Sequence, residues 1–76
     1  MSIFFSRLKT ARKSRRLTLR EVAAACDIQL RAYQRYEAGE REPNFDRLIA
    51  IADLLNVSTD YLLGRTDRPD APAKTP

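Results

Sequence analysis

The segment from Leu17 to Gly39 constrains the fold more than any other part of the chain, because it reads as two short helices joined by a tight turn. Thr18, with Glu21 three residues later, makes the capping-box pattern that opens a helix. Val22, Ala23 and Cys26 follow at helical spacing, and Asp27 interrupts them. Ile28, Tyr33 and Tyr36 supply the apolar side of the second helix, which stops at Gly39. The other side of that helix is polar and cationic.

Amphipathic stripes elsewhere complete a prediction of five helices and no sheet. The first helix is expected over Ser2–Lys13, with Phe4, Leu8 and Ala11 on its inner stripe and Phe5 partly buried beside it. The second runs from Leu19 to Cys26. The third covers Leu30 to Ala38, with Gln29 a poor N-cap. Asn44 caps a fourth over Phe45–Leu55, which buries Leu48, Ile51, Ala52 and Leu55. Ser58 caps a short fifth, Thr59–Leu63, closed by Gly64. From Arg65 on, prolines and mixed charges without apolar periodicity read as a disordered tail over 65–76, so that 1–64 is the expected domain.

Composition limits what such a bundle can do. Seventy-six residues allow one domain with a small core, near the lower size limit for independent folding. Cys26 is the single cysteine, which excludes an intramolecular disulfide, and its place on an apolar helical face marks it as a small core residue. With no histidine, no second cysteine and no Gly-rich loop, neither histidine-based acid–base catalysis, a zinc site nor a P-loop is expected. No cofactor and no enzymatic activity are therefore anticipated. The first twenty residues alternate charged and apolar positions without a hydrophobic run, so no signal peptide is expected. No segment approaches the length of a membrane span, and a cytoplasmic location is the default.

Charge is unevenly spread. Seven cationic residues (Arg7, Lys9, Arg12, Lys13, Arg15, Arg16 and Arg20) precede the first acid, Glu21, whereas Asp46 to Asp60 holds three acids against the single base Arg47. A cationic end of this kind suits a polyanionic partner.

A short helix, a turn and a second helix form the helix-turn-helix arrangement, whose second helix can lie in a DNA major groove. Residues 4–64 resemble the phage-repressor (Cro/C1-type, also called XRE-type) helix-turn-helix domains. The matching pieces are Arg7-Leu8-Lys9 with Arg12, Leu17-Thr18, Glu21-Val22-Ala23 and Arg35-Tyr36-Glu37-Ala38-Gly39. Arg41-Glu42-Pro43, Leu48 through Asp53, and Val57 through Gly64 continue the match in order and at family spacing. The resemblance implies an all-α, compact five-helix fold of the lambda-repressor type. Asp27 and Asn56 stand where the family commonly has glycine in a left-handed turn, a conformation that aspartate and asparagine tolerate better than other non-glycine residues.

Subtracting the inward Ile28, Tyr33 and Tyr36 leaves Gln29, Leu30, Arg31, Gln34 and Arg35 facing outward, and these occupy the family's base-reading positions. Arginine can fork onto guanine O6/N7 and glutamine onto adenine N6/N7, whereas Leu30 is limited to pressing on a thymine methyl. Thr18 and Arg20 at the start of helix 2, with Arg41 and Asn44, are the expected phosphate contacts. Leu19 replaces a glutamine common in the family and is expected to pack on Leu30 or a DNA sugar edge. The resemblance further implies a partly buried ion pair between Arg12 and Glu37.

The resulting expectation is sequence-specific binding of double-stranded DNA by a transcriptional repressor or regulator that occupies an operator. A homodimer on a palindromic site would supply the specificity, through Arg41, Thr59 and Leu62. The alternative is a protein-interaction module, antitoxin-like or an anti-repressor partner, in which Tyr33, Tyr36 and Leu30 contribute apolar surface. Steep weakening with salt would favour nucleic acid, because counterion release is its signature.

Overall fold

The computed structural model describes residues 3–70. In chain order its helices are α1 (Ile3–Ser14), α2 (Leu19–Ala25), α3 (Leu30–Ala38), α4 (Phe45–Leu55) and α5 (Thr59–Leu62). Among the described residues there is no strand, only an isolated antiparallel bridge between Val57 and Asp70. The sequence-based bounds of α3 and α4 match these, while α1 extends to Ser14, α2 stops at Ala25 and α5 stops at Leu62. Ser2, the expected start of α1, lies outside the described residues.

Local hydrogen bonds explain most of the boundaries. The α2 capping box is complete: Thr18 Oγ1 accepts from the Glu21 N–H at 3.0 Å, and Glu21 Oε1 accepts from the Thr18 N–H at 2.8 Å. Asn44 Oδ1 accepts from the Arg47 N–H and Ser58 Oγ from the Tyr61 N–H, opening α4 and α5. Gln29 gives α3 no side-chain cap, so that helix depends on what it packs against. Asp27 and Asn56 both adopt the left-handed conformation, each with φ 56°.

Arg16, at φ 58°, is a third left-handed residue and was not anticipated. It closes α1: the Arg16 N–H donates to Lys13 O and the Leu17 N–H to Arg12 O, the paired bonds of a Schellman motif. Glycine is the usual occupant of that position.

The core draws Phe4, Leu8 and Ala11 from α1, and Val22 and Ala23 from α2. Ile28, Tyr33 and Tyr36 enter beside or on α3, Leu48, Ile51, Ala52 and Leu55 on α4, and Val57 and Leu62 near α5. α1 packs on α3 and α5, α2 on α3 and α4, and α4 on α5. Cys26 and Phe5 are half-buried against this core, and burial pushes the Cys26 thiol up from its ordinary pKa.

One polar interaction runs through the interior. Arg12 Nε donates to Glu37 Oε2 at 2.7 Å and Arg12 Nη2 to Glu37 Oε1 at 3.0 Å, a two-pronged pair joining α1 to α3. Arg12 Nη1 also donates to Leu17 O at 2.8 Å, tying in the turn before α2. The two side chains are only 10% and 7% exposed. The Glu37 carboxylate, by hydrogen bond and by charge, holds Arg12 above its ordinary pKa against the desolvation that opposes it.

The expected tail requires correction over 65–70. Arg7 Nη1 donates to Tyr61 O at 2.7 Å and Thr66 O at 2.6 Å, and its Nη2 to Asp67 Oδ1 at 2.9 Å. The same guanidinium lies 4.4 Å from the centre of the Tyr61 ring. Ser58 N–H donates to Pro69 O, beside the Val57–Asp70 bridge. The segment is held by backbone carbonyls and one arginine rather than by an apolar stripe, so periodicity carries no trace of it. Residues 71–76 lie outside the described residues.

Two outcomes follow for stability. A left-handed backbone costs an L side chain about 1–2 kcal/mol, partly offset by the roughly 0.5–1 kcal/mol of extra chain entropy that glycine loses on folding. Arg16→Gly should therefore raise the unfolding free energy in urea titrations by up to ~1 kcal/mol, and Arg16→Ala should not. Removing one partner of the Arg12–Glu37 pair strands a buried charge, so Arg12→Ala and Glu37→Ala should each cost about 3 kcal/mol. The double variant should lose much less than the sum, and additive losses would show that the pair is energetically uncoupled.

Candidate nucleic-acid interface

α3 is fixed in rotation by its tyrosines. Tyr33 and Tyr36 are fully in the core, which turns the opposite side of the helix to solvent. Gln29, Arg31, Gln34 and Arg35 are exposed, with Arg31 and Arg35 one turn apart on the same face. Leu30 departs from the expected outward set, being half-buried and packed against the core. The reason is its place three residues before Tyr33, on that residue's side of the helix. Leu19 is likewise half-buried against the core.

Arg31, Arg35, Arg41 and Arg47 line one groove together with Asp27, Gln29 and Ala32. Among the described residues none of the four forms an ion pair, so the groove keeps its positive charge apart from Asp27. Gln29, Arg31 and Arg35, expected from sequence as base contacts, and Arg41, expected as a phosphate contact, all lie around this groove, and the structure adds Arg47, which was not among the expected contacts. The available signal was its isolation as the single base in the acidic stretch from Asp46 to Asp60. Tyr36 was expected as apolar filling, whereas Tyr36 Oη accepts a hydrogen bond from Arg47 Nη1 at 2.8 Å.

The remaining candidates are exposed at helix starts. Thr18 stands at the N-terminus of α2 with its oxygen engaged by the Glu21 N–H, which leaves its own proton to donate outward. Arg20 is exposed one residue into that helix. Asn44 uses its carbonyl to cap α4 and retains its amide N–H donors. Arg41 is exposed in the loop between α3 and α4.

The expected dimer contacts divide differently. Arg41 is exposed and Thr59 half-buried, but Leu62 is 0% exposed and belongs to the core. Leu62 is therefore withdrawn as an interface residue: its side chain is already covered by its own chain. The exposed apolar residues nearby are different ones, Leu63 and Phe45, the latter 84% exposed. They line a second, apolar groove with Phe4, Pro43, Leu48 and the acidic Glu42.

Among the described residues no group of His, Cys, Asp and Glu is placed to hold a metal ion, and no helix is long and apolar enough to cross a membrane.

Comparison with known proteins agrees with the geometry. A family model described as helix-turn-helix matches residues 8–62. The chain is 40% identical over 68 residues to the uncharacterized HTH-type transcriptional regulator YobD of Bacillus subtilis, covering 90% of this chain and 61% of that protein. It is 41% identical over 61 residues to the HTH-type transcriptional regulator ImmR of the same organism, covering 80% and 48%. It is also 41% identical over 59 residues to the cryptic phage CTXphi transcriptional repressor RstR of Vibrio cholerae, covering 78% and 53%. The chain thus spans about half to three-fifths of the length of these relatives. No solved structure gives a significant match. With the motif matched across α2 and α3 and most of the bundle around them, the chain belongs to the Cro/C1-type helix-turn-helix family.

Proposed function

We propose that this chain is a sequence-specific double-stranded DNA-binding domain that regulates transcription by occupying an operator, acting as a repressor. The observation that carries the reading is the groove beside α3, where four arginines with no carboxylate partner among the described residues adjoin an exposed helix face bearing Gln29, Arg31, Gln34 and Arg35. Arg31 and Arg35 supply forked donors for guanine edges and the glutamines pair with adenine, while Thr18, Arg20, Arg41 and Asn44 contact phosphates. The transcriptional-regulator names of the relatives support the same reading. No catalytic step or cofactor enters it, and the cytoplasm is its place of action.

One domain of this size touches few bases, so the proposed working form is a homodimer on a palindromic site. With Leu62 buried, Arg41, Thr59 and the exposed Leu63 are the residues of that end left to meet a second copy. A protein partner is the second reading. Its support has moved from the tyrosines, which are buried, to the apolar groove beside Phe45.

Selection of tight-binding sequences from random duplex DNA tests the first reading, a palindromic motif being expected. On the selected site, Arg31→Ala or Arg35→Ala should cost about 1–3 kcal/mol and relax the preference at one base position. Arg20→Ala should instead weaken selected and random duplexes alike and make the salt dependence shallower. Uniform weakening by the Arg31 and Arg35 variants would reduce those residues to phosphate neutralisers. Salt-insensitive capture of a protein, with no duplex bound, would favour the second reading.

A further inference from the structure

We propose that Arg47 is a phosphate-binding residue of the DNA interface and that the Tyr36 hydroxyl is its positioning group, so that the helix reading the bases also sets the place of a backbone contact. This assignment rests on the DNA-binding reading above. Arg47 lies in the first turn of α4, its own N–H bonded to Asn44 Oδ1 at 2.8 Å. Its side chain crosses to α3, where Nη1 donates to Tyr36 Oη at 2.8 Å, and it lines the groove that holds Arg31, Arg35 and Arg41.

The chemistry of the partner decides the role. An arginine fixed by a carboxylate, as Arg12 is by Glu37, has its charge balanced inside the protein. Arg47 is fixed by a neutral phenol, which restricts the guanidinium without neutralising it. Among the described residues Arg47 forms no ion pair, and most of its planar fork of N–H donors remains for a ligand. An oriented, half-buried, unneutralised fork beside three other arginines is suited to an anion with paired oxygens, which on duplex DNA is the phosphate. Tyr36 is itself buried in the core of the recognition helix, so the position of this contact is tied to the pose of that helix.

The test measures affinity against salt concentration by fluorescence anisotropy, on the selected duplex and on a short mixed-sequence duplex, for the whole chain and four variants. Arg47→Ala should weaken both duplexes several-fold and make the slope of log K against log salt shallower by about one. Tyr36→Phe keeps the charge but releases the guanidinium; affinity should fall several-fold for both duplexes while the salt slope stays at the wild-type value. Arg47→Lys should likewise keep the slope and lose affinity, because the charge remains without the fork. Circular dichroism melts monitor folding, and Tyr36→Phe added to Arg47→Ala should bring no further loss of affinity, whereas a purely structural role of Tyr36 would add one. A wild-type slope and affinity in Arg47→Ala would overturn the phosphate assignment while leaving DNA binding intact. A wild-type affinity in Tyr36→Phe would overturn the positioning role. Failure of the wild-type chain to bind any duplex would overturn the DNA-binding reading itself, and this assignment with it.

Discussion

The buried fork between Arg12 and Glu37 joins α1 to α3, and works with the buried Tyr33 and Tyr36, which set the side of α3 that faces solvent. α3 has no side-chain cap of its own, and the third arm of Arg12 reaches Leu17 O, so one guanidinium holds α3 and the entry to α2 together. Desolvation makes such a pair expensive to form and more expensive to break, which favours a single arrangement over alternatives only slightly shifted. Tyr33 packs against this pair, where burial first and the Glu37 carboxylate second raise its phenol above the ordinary pKa. Its hydroxyl is buried and has no hydrogen-bond partner among the described residues.

Arginine serves opposite purposes here, and the partner distinguishes them. Arg12 is balanced by a carboxylate, while Arg7 is absorbed by two carbonyls, Asp67 and the face of Tyr61, so that both act in holding the chain together. Among the described residues Arg31, Arg35 and Arg41 have no such carboxylate, and Arg47 is steadied by a hydroxyl. The excess positive charge of the sequence is therefore divided by geometry. Arg7 and Arg12 are turned to partners within the chain, and among the arginines that form no ion pair in the described residues, Arg31, Arg35, Arg41 and Arg47 gather beside the exposed side of α3.

The parts of this arrangement that were legible in the sequence have local causes. Thr18, Asn44 and Ser58 announce their helices because a short polar side chain before an apolar stripe has a definite hydrogen-bond to make. Asp27 and Asn56 could be assigned to left-handed turns because they stand where the resembling family has glycine and their side chains tolerate that conformation, but nothing in arginine itself signals positive φ at Arg16. The docking of 65–70 escaped notice because its acceptors are main-chain carbonyls. Leu30 was misplaced because, near a helix end, one step in sequence moves a side chain by about 100° around the axis, and periodicity counted over few turns does not resolve that step. Arg47 was hidden because its significance lies in a contact to a different helix.

DNA binding by this chain requires that the surface around α3 meet the duplex. Amide chemical-shift mapping by NMR, with labelled protein titrated by the duplex selected for tightest binding, addresses this most directly. The account predicts that the largest changes cluster at residues 18–20, 29–35 and 41–47, the α2 start, the α3 face and the loop leading into α4. Changes confined to the apolar surface at Ile49, Leu63 and Ile3, or none at all, would contradict it.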